Sequence, residues 1–190
     1  MTNTLAAVAI ALVGVATTFG QPSTAAERFT AFAVNMGSGW SGSTATVEIA
    51  VERWSTQAEA DRLLVALKEQ GPDAMLDVLR DIPRVGFIRT PGNLGYDLHF
   101  ARRVAADEGG ERIVLATDRP IGFWEAVNRP RTIDYPFTVI DLRLDREGQG
   151  EGKLSLATKI TVDRTGKTIE LENWGTQPVQ LRSVRRDSSR

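Results

Sequence analysis

The chain of 190 residues contains no cysteine. That excludes thiol catalysis, thiolate metal sites and a disulfide framework, and it leaves the core alone to hold the fold together. It also removes the acylated residue of a lipoprotein anchor. Histidine occurs once, at His99, so any metal site built on two imidazoles is excluded. No G-x-S-x-G stretch occurs, and with it goes the nucleophile elbow of a Ser-His-Asp hydrolase. Acceptors of the N-x-S/T type are missing as well. Formal net charge is only −1; a domain so close to neutral is not built to neutralise many phosphates, which argues against a nucleic-acid partner.

Charge is also missing from the beginning of the chain, where the first ionisable side chain is Glu27. The apolar run from Leu5 to Val15, followed by small residues up to Ala26, has the form of a secretory leader's apolar and cleavage regions. The run is short for a bilayer span, which needs ~20 apolar residues. The expectation is cleavage after Ala25 or Ala26, a secreted or periplasmic location, and no membrane insertion once the leader is gone. Residues 1–26 are then the leader and 27–190 a single domain, roughly 160 residues, enough for one core.

Past the leader, alternation dominates. In TATVEIAVERW, Val47, Ile49 and Val51 oppose Thr46, Glu48 and Glu52. In GKLSLATKITVD, Leu154, Leu156, Ile160 and Val162 share one face. DRTGK, DEGGER and EGQGEG punctuate successive strands as turns. Between Trp54 and Arg84 the period becomes helical. Ala60, Leu63, Leu64 and Leu67 form one stripe, with Ser55 or Thr56 as N-cap, Glu59 in capping-box position to Thr56, and Gly71 as the stop. Pro72 opens a second helix with Met75, Leu76, Leu79 and Ile82 on its apolar side.

So many one-sided strands predict a mainly β (α+β) fold. The antiparallel meander is expected to close into a barrel, or to fold into a two-layer sandwich, with a helical pair inserted after the second strand. This order resembles that of small lipid-binding barrels, in which a helical pair interrupts the early strands, and that of barrel cyclases of the calycin-like group. The resemblance is architectural and carries no motif of either, so it implies a fold and not an activity.

Candidate chemistry concentrates in ATDRPIGFWEAVNRPRTIDYPF, residues 116 to 137. Arg119, Arg129 and Arg131 suit a carboxylate or phosphate headgroup through charge-assisted forks, and Phe123 with Trp124 suit an apolar body. The flanking RIVLATD and YPFTVIDL are apolar on both faces, so both faces are expected to be covered. The helical pair is expected to supply the cover, which puts Asp118 to Asp134 on a rim where ligands enter. The plainer alternative is that Pro120, Pro130 and Pro136 shape a connection in which Arg119 or Arg131 simply ties to Asp118, Glu125 or Asp134. Alternation across GYDLHFARRV sets His99 with Asp97, Ala101 and Arg103, facing solvent or a packed helix. MGSGWSGS, 36 to 43, runs into a strand rather than a helix and reads as a hairpin loop with Trp40 near its tip. The closing RSVRRDSSR reads as a solvated, frayed end.

The expected function is non-catalytic binding of a small amphipathic, anionic ligand by Arg119, Phe123, Trp124, Arg129 and Arg131. No cofactor, metal or catalytic residue is assigned, and a homo-oligomer is compatible with the pattern. One alternative is a barrel-type cyclase or hydrolase using Asp118, Glu125 or His99. Another is an envelope or extracellular assembly protein using edge strands with Trp40 or Trp174.

Overall fold

The computed structural model of the chain describes residues 8–11, 26–34, 44–92, 95–106, 109–119, 121, 137–157, 159–162, 168–172 and 179–187. Nine strands form one antiparallel sheet: β2 (Glu27–Val34), β3 (Thr44–Val51), β4 (Gly86–Arg89), β5 (Tyr96–Leu98), β6 (Phe100–Ala105), β7 (Glu111–Thr117), β8 (Phe137–Leu144), β9 (Gln149–Ala157) and β12 (Val179–Arg186). Their order in the sheet is β5-β4-β3-β2-β12-β9-β8-β7-β6. A separate antiparallel sheet of three strands has the order β1-β11-β10, from β1 (Val8–Ala11), β10 (Lys159–Val162) and β11 (Thr168–Glu172). The helices α1 (Gln57–Gln70) and α2 (Pro72–Asp81) lie between β3 and β4, after the second strand of the large sheet.

The helical pair forms where local chemistry asks for it. The Thr56 hydroxyl accepts from the Glu59 N–H at 3.2 Å, and Glu59 Oε2 accepts from the Thr56 N–H at 2.8 Å. This reciprocal cap is reinforced by the Arg53 guanidinium, which forks onto the Glu59 carboxylate at 3.0 and 3.1 Å. Burial alone would raise the Glu59 pKa, but the bonds from Arg53 and Thr56 outweigh it and hold the carboxyl below its ordinary value. Gly71, at φ 91°, ends α1 in a conformation open to glycine, and Pro72 starts α2.

The large sheet is nearly closed. Its two edge strands, β5 and β6, are consecutive in the chain and separated by His99 alone. Hydrogen-bonded partners lead from Tyr96 through Ile88, Ile49 and Phe29 to Arg186. From nearby Val184 they continue through Gly150, Leu144 and Glu111 to Ala105. The sheet thus meets its own starting stretch again further along, the stagger that tilted strands need in order to close. The enclosed face is filled: Phe29, Ile49, Ile88, Ile113, Leu142 and Leu181 all have no exposed surface. Each contributes about 1.5–3 kcal/mol relative to leaving it in water. Gly152 is part of that packing, because a Cβ there would lie 2.6 Å from Leu142 Cδ2 and 2.8 Å from the Asp141 carbonyl oxygen.

Three readings of the sequence change. The glycines of EGQGEG do not all lie in a turn: Gly150 and Gly152 are inside β9, where the close approach of β8 excludes a side chain. Alternation does not run unbroken from Tyr96 to Val104, since Leu98 and Ala101, three residues apart, are both fully buried. The break falls at His99, where the chain leaves one sheet edge for the other. The arginine-rich close of the chain is no frayed end as far as Arg186, because β12 pairs with β2 on one side and β9 on the other. Both faces of β7 and β8 are covered as expected: Ile113, Leu115, Ile140 and Leu142 on one, Val114, Ala116, Val139 and Asp141 on the other. Among the described residues no helix is long and apolar enough to cross a membrane.

Candidate functional site

Strand β7 ends at Thr117 and carries the chain into Asp118 and Arg119, with β8 returning at Phe137. Thr117 and Thr138 sit opposite one another in register. Both are completely or almost completely buried, at 0% and 1% exposure. The Thr138 hydroxyl donates to the Arg119 carbonyl oxygen at 3.3 Å, whereas the Thr117 hydroxyl has no hydrogen-bond partner among the described residues. Ile121, two residues past Arg119, is buried at 3% exposure and belongs to the hydrophobic core.

Asp118 joins two neighbours. Its Oδ1 lies 3.2 Å from Arg119 Nε and 3.6 Å from His99 Nε2. The carboxylate is mostly buried and the Arg119 side chain is 63% exposed, so the cation stands out in solvent on a sheltered anion. The hydrogen bond with Asp118, then that carboxylate's charge, raise the Arg119 pKa against the small effect of burial. His99 Nδ1 is 2.7 Å from the Ile82 carbonyl oxygen, just past α2, and the His99 N–H donates to the Ala116 carbonyl oxygen at 2.9 Å. The imidazole therefore stitches the end of the helical pair to the seam of the barrel.

Of the sequence-predicted residues, Arg119 stands at this rim and makes the tie to Asp118 that the plainer alternative expected. His99 and Asp118, named separately as acid–base candidates, are brought together. Phe123, Trp124, Arg129 and Arg131 lie outside the described residues, as do Glu125, Trp40 and Trp174. The strand ends that bracket these segments, Val34 and Thr44, Thr117 and Phe137, Ala157 and Val179, all lie at one end of the barrel.

The opposite end carries groups that sequence reasoning missed. Glu27, Arg103, Glu111 and Arg186 form a ring of alternating charge there. Arg103 contacts Glu27 and lies 3.0 Å from Glu111, while Arg186 lies 3.3 Å from Glu27 and contacts Glu111. Trp54 stacks against the Arg103 guanidinium at 4.4 Å, and Arg186 sits 5.5 Å over the Phe29 ring. Burial, the largest effect, lowers the Arg186 pKa, with Arg103 adding to it and Glu27 opposing it. Outside the barrel wall, Arg112 forks onto the buried Asp141 at 2.8 and 3.0 Å. The cross-strand register that creates these pairs has no local signature. Among the described residues no three metal-ligating side chains converge.

No protein-family model, no curated protein and no solved structure matches the chain.

Proposed function

We propose that this is an exported, non-catalytic binding protein whose small amphipathic, anionic ligand sits at the barrel end where β7 gives way to Asp118 and Arg119. The observation that carries this reading is the pairing of a buried hydroxyl, Thr117, that has no hydrogen-bond partner among the described residues with an exposed cation, Arg119, two residues on. A buried hydroxyl without a hydrogen bond costs free energy that a ligand's polar atom would recover. A cation held by a sheltered carboxylate suits an anionic headgroup. The filled interior favours a ligand seated on the rim rather than deep inside. Phe123 and Trp124 would then cover its apolar body, and Arg129 and Arg131 would join Arg119 on the headgroup. Export is supported by where the barrel begins: β2 starts at Glu27, directly after the expected cleavage positions. The small sheet holds β1 apart from it.

The test is native mass spectrometry of the protein purified under mild conditions, followed by rebinding of whatever co-purifies. Arg119→Ala is expected to weaken rebinding by about tenfold, the scale of one lost charge-assisted bond. Thr117→Val separates ligand binding from folding: it is expected to leave the free protein as stable or more so, while rebinding weakens. A ligand whose affinity neither substitution alters overturns the assignment. We assign the His99–Asp118 pair to closure of the barrel rather than to proton transfer, because the imidazole is already engaged by Ile82 and both side chains are largely buried.

A further inference from the structure

We propose that the outer face of β2, β12, β9 and β8 is a docking surface for anionic lipid headgroups. On this face Lys153, Arg182, Arg185 and Arg143 are exposed, and none has a hydrogen bond or ion pair among the described residues. Register makes the group continuous: Arg182 stands opposite Phe32, Arg185 opposite Thr30, Gln180 opposite Lys153, and Arg143 opposite Glu151. Glu151 is the only carboxylate on this face that lacks a partner among the described residues. Asp141 is engaged by Arg112 and Glu48 by Arg28 and Arg89, whereas Asp187 accepts, among the described residues, only from the neutral Thr30 hydroxyl and keeps its charge, so four cations face two unneutralised carboxylates. A nearly neutral chain thus gathers a surplus of unneutralised cations on one side.

Two further observations point outward from the same place. Phe32 is 48% exposed, one of only two large apolar side chains so exposed among the described residues. The register of β12 slips between Arg182 and Arg185, where Ser183 holds a φ of 50°. That is a costly conformation for a residue with a Cβ. The bulge turns two arginines three positions apart to the same side, and a regular strand would have sent one of them into the barrel.

A peptide partner does not fit this face. Strand addition needs a free edge, and β2, β12, β9 and β8 each pair on both sides. What remains is contact between broad surfaces, which a charged membrane makes without demanding register. Basic side chains near an anionic surface each strengthen binding about fivefold, and an exposed aromatic adds interfacial anchoring.

The test is sedimentation of the full chain with phosphatidylcholine vesicles, with and without phosphatidylglycerol. Binding is expected to the anionic vesicles, to fall steeply between low and physiological salt, and to drop at least tenfold in Arg182→Gln/Arg185→Gln with an unchanged circular dichroism spectrum. Phe32→Ser is expected to weaken binding severalfold without changing its salt dependence. Equal binding to neutral vesicles would trace the association to the apolar leader and overturn the proposal. Competition by soluble polyglutamate at equal charge concentration would reassign the face to an acidic polypeptide, with the same consequence. These substitutions lie on the barrel wall rather than at the Arg119 rim, so the two proposals fail independently.

Discussion

The His99 imidazole lies with Nε2 3.6 Å from Asp118 Oδ1 and Nδ1 2.7 Å from the carbonyl oxygen of Ile82. His99 lies between the two edge strands β5 and β6, Asp118 follows the neighbouring β7, and Ile82 ends the helical pair, so the ring ties the seam to the strand and helix end beside it. An antiparallel sheet of this size has two edges to protect, and here one residue stands between them.

Removing the ring should therefore loosen the seam. His99→Ala is expected to destabilise the protein by about 2–3 kcal/mol, combining lost packing with an unpaired Ile82 carbonyl. Asp118→Asn should cost less, because its two contacts are long. Urea unfolding of both variants measures this, and amide exchange should speed up first in β5 and β6. Equal protection of those strands in His99→Ala would remove the seam from the account.

Acid should weaken the entry to α1. The Glu59 pKa is depressed in the folded chain, so its contribution is present in full above its ordinary value and is lost as pH falls through the lowered folded one. Glu59→Gln is expected to cost about 1 kcal/mol at neutral pH, the usual scale of a cap, and its difference from wild type should shrink toward zero in acid. Thermal unfolding from neutral pH to below pH 4 follows the convergence.

The Arg112–Asp141 fork stands on a strand pair covered on both faces, with Asp141 only 7% exposed. Asp141→Ala removes the carboxylate that the Arg112 fork grips and is expected to cost about 1.5–3 kcal/mol, the scale of a hydrogen bond to a charged group. Arg112→Met/Asp141→Leu should recover much of that loss, since two apolar side chains replace two desolvated charges. A double-mutant cycle reads the coupling directly.

Export should release a chain that starts at Ala26 or Glu27. Intact mass of the protein recovered from outside the cytoplasm locates the cut. The processed form is expected to keep the strand signature of the large sheet, because among the described residues β1 pairs only with β11, in the smaller sheet. Recovery of the uncut chain from the cytoplasm alone would reject the leader.

The local elements were legible in the residues themselves. Thr56 and Glu59 announced the start of α1, Gly71 and Pro72 its end, and the alternation of β3 and of the Lys153–Ala157 half of β9 the wall of a barrel. Each depends on a few neighbours in the chain and on side-chain periodicity, which short-range physics sets. The rim was legible in part, through Arg119 and the two-faced apolar strands beside it.

What the tertiary structure alone decided is register and closure. The meeting of Glu27 with Arg186, of Arg112 with Asp141 and of His99 with Asp118 joins residues far apart in the chain, and no local pattern encodes which strand lies beside which. The slip of β12 at Ser183, which turns Arg182 and Arg185 outward together, is one extra residue taken up alike against β2 and against β9. A sheet that must close on itself fixes its stagger globally, and every cross-strand pair inherits its partner from that one condition.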